Sequence, residues 1–593
     1  MSAVSAPRTR SVVLGVVALL LVAWLAACAW LLLGARDDAQ AGLDAMDEFN
    51  SLADQDIPAF LDSIGDGATE EGLRTASESF ESAHSKASSF VVAPLRVVPF
   101  IGRQIRSVDA LSSSAALTTD AAADAVASLS EVLDRPSNAS GDRMTTTAEV
   151  ERVLVVLQTR IEDLDLGPSE GLIGSLAEAR TRFDEEYAAV LDTLDTAVVG
   201  VTGVASFLEG PNRYVVLAAN NAEMRAGSGM FLQLGSMDIS DGGFTLSEFQ
   251  ATADLKLPEP GGTVDPDVAA IWSPLEPAQD WRNLNVTPRF DVSAELAAQM
   301  WESQGWGGVD GVLAIDVVGV QNLLEVVGPV EIEGTDGPMT ISADNVRDEL
   351  LVNQYLDVEE DDPLSIERRA QLGRVAAAVF RSFNEGSLSA TELLSVLQDS
   401  GAGRHLLMWS EHRDQQRAWE ALGTAGLVDE DDVMLSIQNR GGNKLDTFLE
   451  TTARFSGTTD GDLRRLEVEV TITNDAPTGL PRYVAGPYPG TDLTYGEYLG
   501  LLTLTVPGGA GDPEVTGAEL AASGQDGDAR VIVANVRIPR GTTSTVTVTF
   551  DLPTDWSAVD VLPSARVPPS AWTAGDEQWN DDHRVTIELD DLG

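Results

Sequence analysis

Residues 213–231 read RYVVLAANNAEMRAGSGMF, and this stretch decides the fold. Arg213 to Ala219 is a short, nearly unbroken apolar run, the mark of a buried strand, and Asn220-Asn221 announces the loop that ends it. Phe231–Met237 reads as a second strand. After 238–243 (DISDGG), a turn of the Asp/Gly kind that permits positive φ, Phe244–Phe249 reads as a third. Downstream the spacing predicts a helix over 294–303, a strand over 311–317, and helices over 319–327 and 366–383. Strands alternating with helices predict a three-layer αβα unit over 205–444.

From Leu466 the period becomes two. Leu466, Val468, Val470 and Ile472 alternate with Glu467, Glu469, Thr471 and Thr473, one buried face and one wet. The segments 531–538, 546–550 and 585–589 repeat the pattern, so a β-sandwich is expected over 445–593. Upstream, over 37–204, apolar residues recur at steps of three and four: Leu43, Met46, Phe49, later Val150, Val153, Leu157, and again Leu176, Phe183, Tyr187. Punctuation at 94–102 (PLRVVPFIG), 135–143 (RPSNASGDR) and Gly167-Pro168 divides the region into antiparallel helices, a stalk-like bundle.

The N-terminus supplies the anchor. Between Arg10 and Arg36 lie 25 uncharged residues, SVVLGVVALLLVAWLAACAWLLLGA, enough as a helix to cross a hydrocarbon layer of about 30 Å. Arg8 and Arg10 precede the run and Asp37-Asp38 follow Arg36, so residues 1–10 are expected in the cytoplasm, 11–35 in the membrane and the rest outside it. A cleavable signal has a shorter apolar core. A lipoprotein box at Leu25-Ala26-Ala27-Cys28 is opposed by the apolar residues that continue through Leu33. The sequence contains no second spanning segment by this reading.

Composition narrows function. The 593 residues hold 94 acidic and 38 basic side chains, a net charge of −56, which repels nucleic acid. One cysteine excludes an internal disulfide, and with four histidines it cannot build the usual Cys/His zinc cage, so any metal would be a hard cation held by oxygen, and no metal-ligating residue is assigned. The segment 220–229 (NNAEMRAGSG) is the best site candidate. It lies past a strand end, where open α/β sheets place ligands, and it offers amides, a carboxylate and a guanidinium, with Asn221, Arg225 and Ser228 the candidate ligand-binding residues. A hydrogen-bonded turn closing two strands fits the same residues. The Gly-Ser-Gly is neither a P-loop nor a nucleophile elbow. Arg368, Arg369 and Arg374 form a second cluster, on a helix whose apolar face is Leu372, Val375, Ala376 and Val379; Arg forks suit phosphate, and pairing with the acidic run 359–362 accounts for them equally. His405 and His412 have no marked nucleophile nearby, so a structural role is expected of both.

The anchor, 94–102, 213–231, the stretch 308–316 (GVDGVLAID) and 442–446 (GNKLD) together resemble the actinobacterial envelope proteins of the domain of unknown function 4012 family, which implies no activity. The region 212–383 is also distantly similar to the LytR-CpsA-Psr family, and the fold so implied is α+β multidomain: membrane helix, extracytoplasmic bundle, LytR-CpsA-Psr-like αβα domain and sandwich. Enzymes of that family transfer polymers from a polyprenyl-pyrophosphate carrier to a wall acceptor. The resemblance implies pyrophosphate contacts at Arg225, Arg369 and Arg374, a family Asp at Asp254 as candidate catalytic residue, Mg²⁺ as cofactor, and a polyprenyl-phosphate lipid or wall glycopolymer as partner. The departures are specific. The family's Arg-Ser-Asp-Thr stands here as Arg225-Ala226-Gly227-Ser228 and its Pro-Arg-Asp as Thr252-Ala253-Asp254, so one Arg and one Asp are missing. Loss of one such donor costs on the order of 10²-fold in phosphoryl transfer. The leading expectation is therefore a membrane-anchored envelope protein that binds a lipid-linked or wall glycopolymer, its enzyme version having a phosphotransferase-like activity on polyprenyl-pyrophosphate substrates; the alternative is a non-catalytic envelope scaffold or interaction protein.

Overall fold

The computed structural model describes residues 8–53, 67–133, 135, 140–334, 337–356, 371–385, 390–488 and 490–592. They form two compact units, one of Met1–Pro136 with Thr146–Val201, the other of Ser137–Thr145 with Thr202–Gly593. The chain contains both helix and sheet and begins with a long apolar helix.

The first unit is helical. Arg8–Ala53, Ala68–Ser88, Ile101–Leu133, Ser140–Ile161 and Gly174–Glu209 follow one another, the start of the fourth and the end of the last belonging to the second unit. In Ala68–Ser88 the buried residues Leu73, Ala76, Phe80, Ala83 and Ala87 recur at helical spacing, and the small Ala83 and Ala87 let the first helix approach closely at Ala35 and Ala39. Gly42 is required there, because a Cβ would lie 2.7 Å from the Phe80 ring. Asp38 accepts from Ser82 Oγ at 2.6 Å and pairs with Lys86, which fixes the antiparallel register of the two helices. The Ala/Ser/Asp-rich stretch 112–130 lies within Ile101–Leu133.

Among the described residues, two helices are long and apolar enough to cross a membrane, Leu20–Ala45 and Gly174–Glu209. The second carries Asp192 and Asp195, and its last turn puts Phe207 and Leu208 into the core of the second unit. There Phe207 stacks edge-on with Tyr214 and Trp419, both at 5.2 Å, so that end of the helix is a structural element of a folded core.

The second unit opens with a mixed sheet of order β3-β2-β1-β5-β8, with β4 paired to β2. Its strands are β1 Asn212–Met224, β2 Gly229–Ser240, β3 Gly243–Leu246, β4 Gln250–Ala251, β5 Gly311–Ile315 and β8 Leu406–Ser410. β1 runs parallel to β5 and antiparallel to β2. Alternate residues of β1 feed two cores: Tyr214, Val216 and Ala218 pack with helices Val317–Val327 and Gln371–Glu385, while Val215, Leu217 and Ala219 pack with helix Phe290–Ser303 and Trp281. β6 Val330–Gly334 and β7 Gly337–Ile341 form a separate hairpin against the first face.

Two six-stranded sheets follow, of order β13-β16-β11-β10-β18-β19 and β14-β15-β12-β9-β17-β20, where β10 is Leu449–Asp460, β13 Glu514–Thr516, β14 Glu519–Asp526, β16 Thr543–Pro553, β18 Ala571–Ala574, β19 Glu577–Asn580 and β20 Val585–Glu588, and both line one core. β11 (Leu463–Asn474) buries Leu466, Val468, Val470 and Ile472 and exposes the glutamates between them. β9 (Asp432–Asn439) belongs to this pair of sheets although it lies N-terminal to the expected division at 444/445: it pairs with β12 (Tyr498–Pro507) and β17 (Ala558–Leu562). β15 (Ala529–Ile538) is buried on both faces over part of its length. Ile532, Ala534 and Val536 enter the shared core, while Val531 and Val533 pack against Val268, Trp272 and Val286 of the α/β part.

Candidate functional site

β1 does not stop at Asn220. Its pairing with β2 jumps from Asn220↔Met230 to Met224↔Gly229, so Asn221, Ala222 and Glu223 bulge out of the ladder; Asn221 and Glu223 reach residues of the sandwich part, and Ala222 packs into the α/β core. Gly229 is obligatory opposite the bulge, since a Cβ there would lie 2.5 Å from the Asn220 carbonyl carbon. Residues 225–228 close the hairpin, with Arg225 N donating to Ser228 O at 2.9 Å.

This turn sits on β9. Ser436 Oγ donates to Ala226 O at 3.0 Å, and Gly227 N donates to Asn285 O at 3.2 Å. Ser228 is buried, its Oγ accepting from Asn285 Nδ2 at 3.2 Å. Arg225 is the keystone: Nη1 donates to Met224 O and Asn439 O, each at 2.9 Å, Nε to Arg282 O at 3.1 Å and Nη2 to Asn283 Oδ1 at 3.1 Å. Four of its N–H groups meet neutral oxygens of the same chain, and burial lowers its pKa to about 10.

A charged pair lies beside it. Lys444 Nζ donates to Glu223, both side chains being more than nine-tenths buried, and sits 4.6 Å from the Tyr355 ring centroid and 5.2 Å from that of Tyr483. Burial works against the ammonium, but the Glu223 carboxylate outweighs it and holds the Lys444 pKa above its ordinary value. Burial raises Tyr355 to about 12, and its hydroxyl accepts from Asn220 Nδ2 at 2.9 Å. Asp446 completes the seam. It accepts from Tyr498 OH at 2.8 Å, Asn439 Nδ2 at 2.7 Å and Met224 N at 3.4 Å, and burial raises its pKa against the opposing Arg566 charge.

Asn221 joins a third set. Its Nδ2 donates to Asp316 Oδ2 at 2.7 Å and to Ala565 O at 2.8 Å. Asp316 caps helix Val317–Val327 through Val318 N and Gly319 N and meets His405 Nδ1 at 2.7 Å. Ala565 has φ +54°, a left-handed conformation costly for a residue with a Cβ, and the Asn221 bond helps hold it. Next to it, Ser564 N and Oγ donate to the buried Asp581, whose pKa burial raises to about 7.

The structure thus gathers Asn221, Arg225 and Ser228 at one buried joint, each with protein partners. Asp254 is exposed on the turn Thr252–Asp254, while its neighbour Thr252 is buried and donates to Phe231 O. Arg374 lies on helix Gln371–Glu385, which packs on the face of the sheet opposite the core of Trp281 and Leu284 that flanks the Arg225 partners. Arg368 and Arg369 lie outside the described residues. Sequence reading did not single out Glu223 or Lys444 as a pair; the available signal was that Lys444 is one of three lysines in the chain. Among the described residues, Asp310, Glu411 and His412 could offer metal ligands within 4.8 Å of one another. They are at least partly exposed, and Asp310 already accepts from Arg213 N at 2.6 Å and meets His412 Nε2 at 3.0 Å.

Fold and site define a mixed α/β module locked to a pair of β-sheets through buried polar groups. Residues 209–355 match the model of the family "Protein of unknown function (DUF4012)", and that stretch of the chain carries the family's domain. The match holds Glu223, Arg225 and Tyr355 but ends before Lys444 and Asp446. Among solved structures, the Lin1025 protein from Listeria innocua is similar at 12% identity over 36% of this chain and 79% of its own, with a TM-score of 0.20. Lmo1026 from Listeria monocytogenes is similar at 12% identity over 37% and 80%, also with a TM-score of 0.20. At those scores neither bears on this chain's function. No curated protein matches it.

Two consequences follow for stability. Lys444→Met strands the Glu223 carboxylate in the interior and costs about 3–5 kcal/mol in denaturant unfolding, whereas Lys444→Met with Glu223→Leu recovers most of that loss. Asp581, raised to about 7 from an ordinary 3.8, binds its proton more tightly folded than unfolded. Its contribution is therefore complete below pH about 4 and is lost as pH rises toward 7. Urea titrations from pH 4.5 to 8 should show Asp581→Asn gaining stability relative to wild type as pH rises; parallel curves would contradict the assignment.

Proposed function

We propose that this chain is a single-pass, membrane-anchored cell-envelope scaffold, its N-terminus cytoplasmic and its bulk outside, in which the α/β module and the paired sheets form one rigid body that positions partners. The anchor reading is supported by the first helix, whose Leu20, Val22, Trp30 and Leu33 are exposed, and by Arg8 and Arg10 ahead of its uncharged run. The observation that carries the scaffold reading is Arg225. Its guanidinium is the group best placed at a strand end to receive an anion, and four of its N–H groups are committed to oxygens of the protein itself. Phosphoryl transfer needs positive charge aimed at the spreading negative charge of the substrate, and a buried guanidinium with four of its five N–H groups held by the protein does not supply it. Exposed Asp254 sits on a different turn and adds no partner to Arg225.

The competing reading is a LytR-CpsA-Psr-like module that binds a polyprenyl-pyrophosphate glycan with Mg²⁺ through Arg225, Arg369 and Arg374. Calorimetric titration of the detergent-solubilised full chain with farnesyl pyrophosphate, with and without Mg²⁺, separates the two. The scaffold reading expects no saturable heat in either condition. Saturable Mg²⁺-dependent binding that Arg374→Ala abolishes would overturn it in favour of the transferase.

A further inference from the structure

The turn between helices Ala68–Ser88 and Ile101–Leu133 is built unlike a soluble loop. Residues 89–101 read SFVVAPLRVVPFI, and Phe90 is 87% exposed, Val97 84% and Phe100 60%, with Val98 and Ile101 also exposed. A water-facing hairpin tip gains nothing from so many large apolar side chains.

Its place along the first helix gives the reason. The two helices run antiparallel, Asp38 level with Ser82 and Lys86, Gly42 level with Phe80. The tip therefore continues alongside the apolar run, where Val91 O accepts from Trp24 Nε1 at 2.9 Å and from Cys28 Sγ at 3.3 Å. Cys28 lies eight residues on the apolar side of Arg36, about 12 Å along a helix.

The backbone is equipped for an apolar medium, where each unmet polar group is costly. Val92 N and Ala93 N donate to Ser89 O, Leu95 N to Val92 O, Val98 N to Leu95 O and Gly102 N to Val98 O, while Pro94 and Pro99 have no N–H to satisfy. Arg96, the one charge in the tip, is turned back onto Ala87 O and Asp109, and Arg96 O accepts from Arg106 at 2.9 Å. Charge points the same way. In a chain of net charge −56 no acidic residue occurs between Glu81 and Asp109, while Lys86, Arg96, Arg103 and Arg106 do, with Arg103 and Arg106 exposed at the base of the tip. That is complementary to anionic lipid headgroups.

We propose that residues 89–101 are a second membrane element, a hairpin tip inserted beside the first helix into the leaflet where the apolar run of that helix ends at Arg36. Phe90, Val97 and Phe100 enter the acyl region, and Arg103 and Arg106 meet the anionic headgroups. The inference rests on the anchor reading, and its test keeps the two apart. In the full chain carrying Cys28→Ala, single substitutions Phe90→Cys, Val97→Cys, Leu25→Cys and Leu520→Cys are labelled with an environment-sensitive fluorophore. The chain is then reconstituted into phosphatidylcholine–phosphatidylglycerol bilayers containing spin-labelled acyl chains. Strong quenching at 25, 90 and 97, with none at 520, is expected. Quenching at 25 with positions 90 and 97 as unquenched as 520 overturns the inserted tip and leaves the anchor standing. Absence of quenching at all four overturns the anchor and the tip together.

Discussion

The second unit depends on one constraint: Lys444 and Glu223, brought to the interior from segments 221 residues apart, must meet there. Two charges removed from water lose several kcal/mol each in hydration, and only a well-placed partner with further polar support returns it. The α/β part supplies the carboxylate from a bulged strand end and the paired sheets supply the ammonium from the loop before Asp446, so neither part can bury its half alone. Tyr355 and Tyr483 line the ammonium from the two sides.

Around that pair the remaining polar groups are complementary in the same sense. Arg225 reaches across to the carbonyl of Asn439 and Asp446 reaches back to the amide of Met224. Further along the seam Arg289 meets Asp526 at 3.0 Å and Thr287 Oγ1 donates to the same carboxylate at 2.6 Å, with Val531 and Val533 covering the apolar gap. A joint of this kind is expensive to misalign, because any slip leaves buried donors or charges unmet. It also explains why the residues that look most like a ligand cradle in the primary structure, Asn221, Arg225 and Ser228, hold protein instead.

Periodicity made most elements legible. The two-residue alternation of Leu466 to Ile472 and the three-and-four spacing of the bundle helices are direct imprints of which faces are buried. The division at 444/445 was less visible, because β9 (DVMLSIQN) is buried at every position and has no wet face to reveal which sheet it joins. The continuation of β1 past Asn220 was hidden for a different reason. Asn-Asn is ordinarily a strand terminator, and only the bulge opposite Gly229 lets both amides stay in the strand and find partners. The role of Arg225 depends on carbonyls from residues 282 and 439, and contacts that distant leave no local pattern. The 4012-family resemblance pointed to both halves of the seam, 213–231 and 442–446, without indicating that they touch.

The most direct measurement of the central claim is native-state hydrogen exchange on the full chain, comparing backbone amides of 219–225 with those of 435–446. If the buried seam joins the α/β part to the paired sheets as one cooperative body, both segments exchange only through the same global opening, with equal opening free energies that fall together in Lys444→Met. Exchange of one segment through a separate, lower-energy opening while the other remains protected would contradict the account.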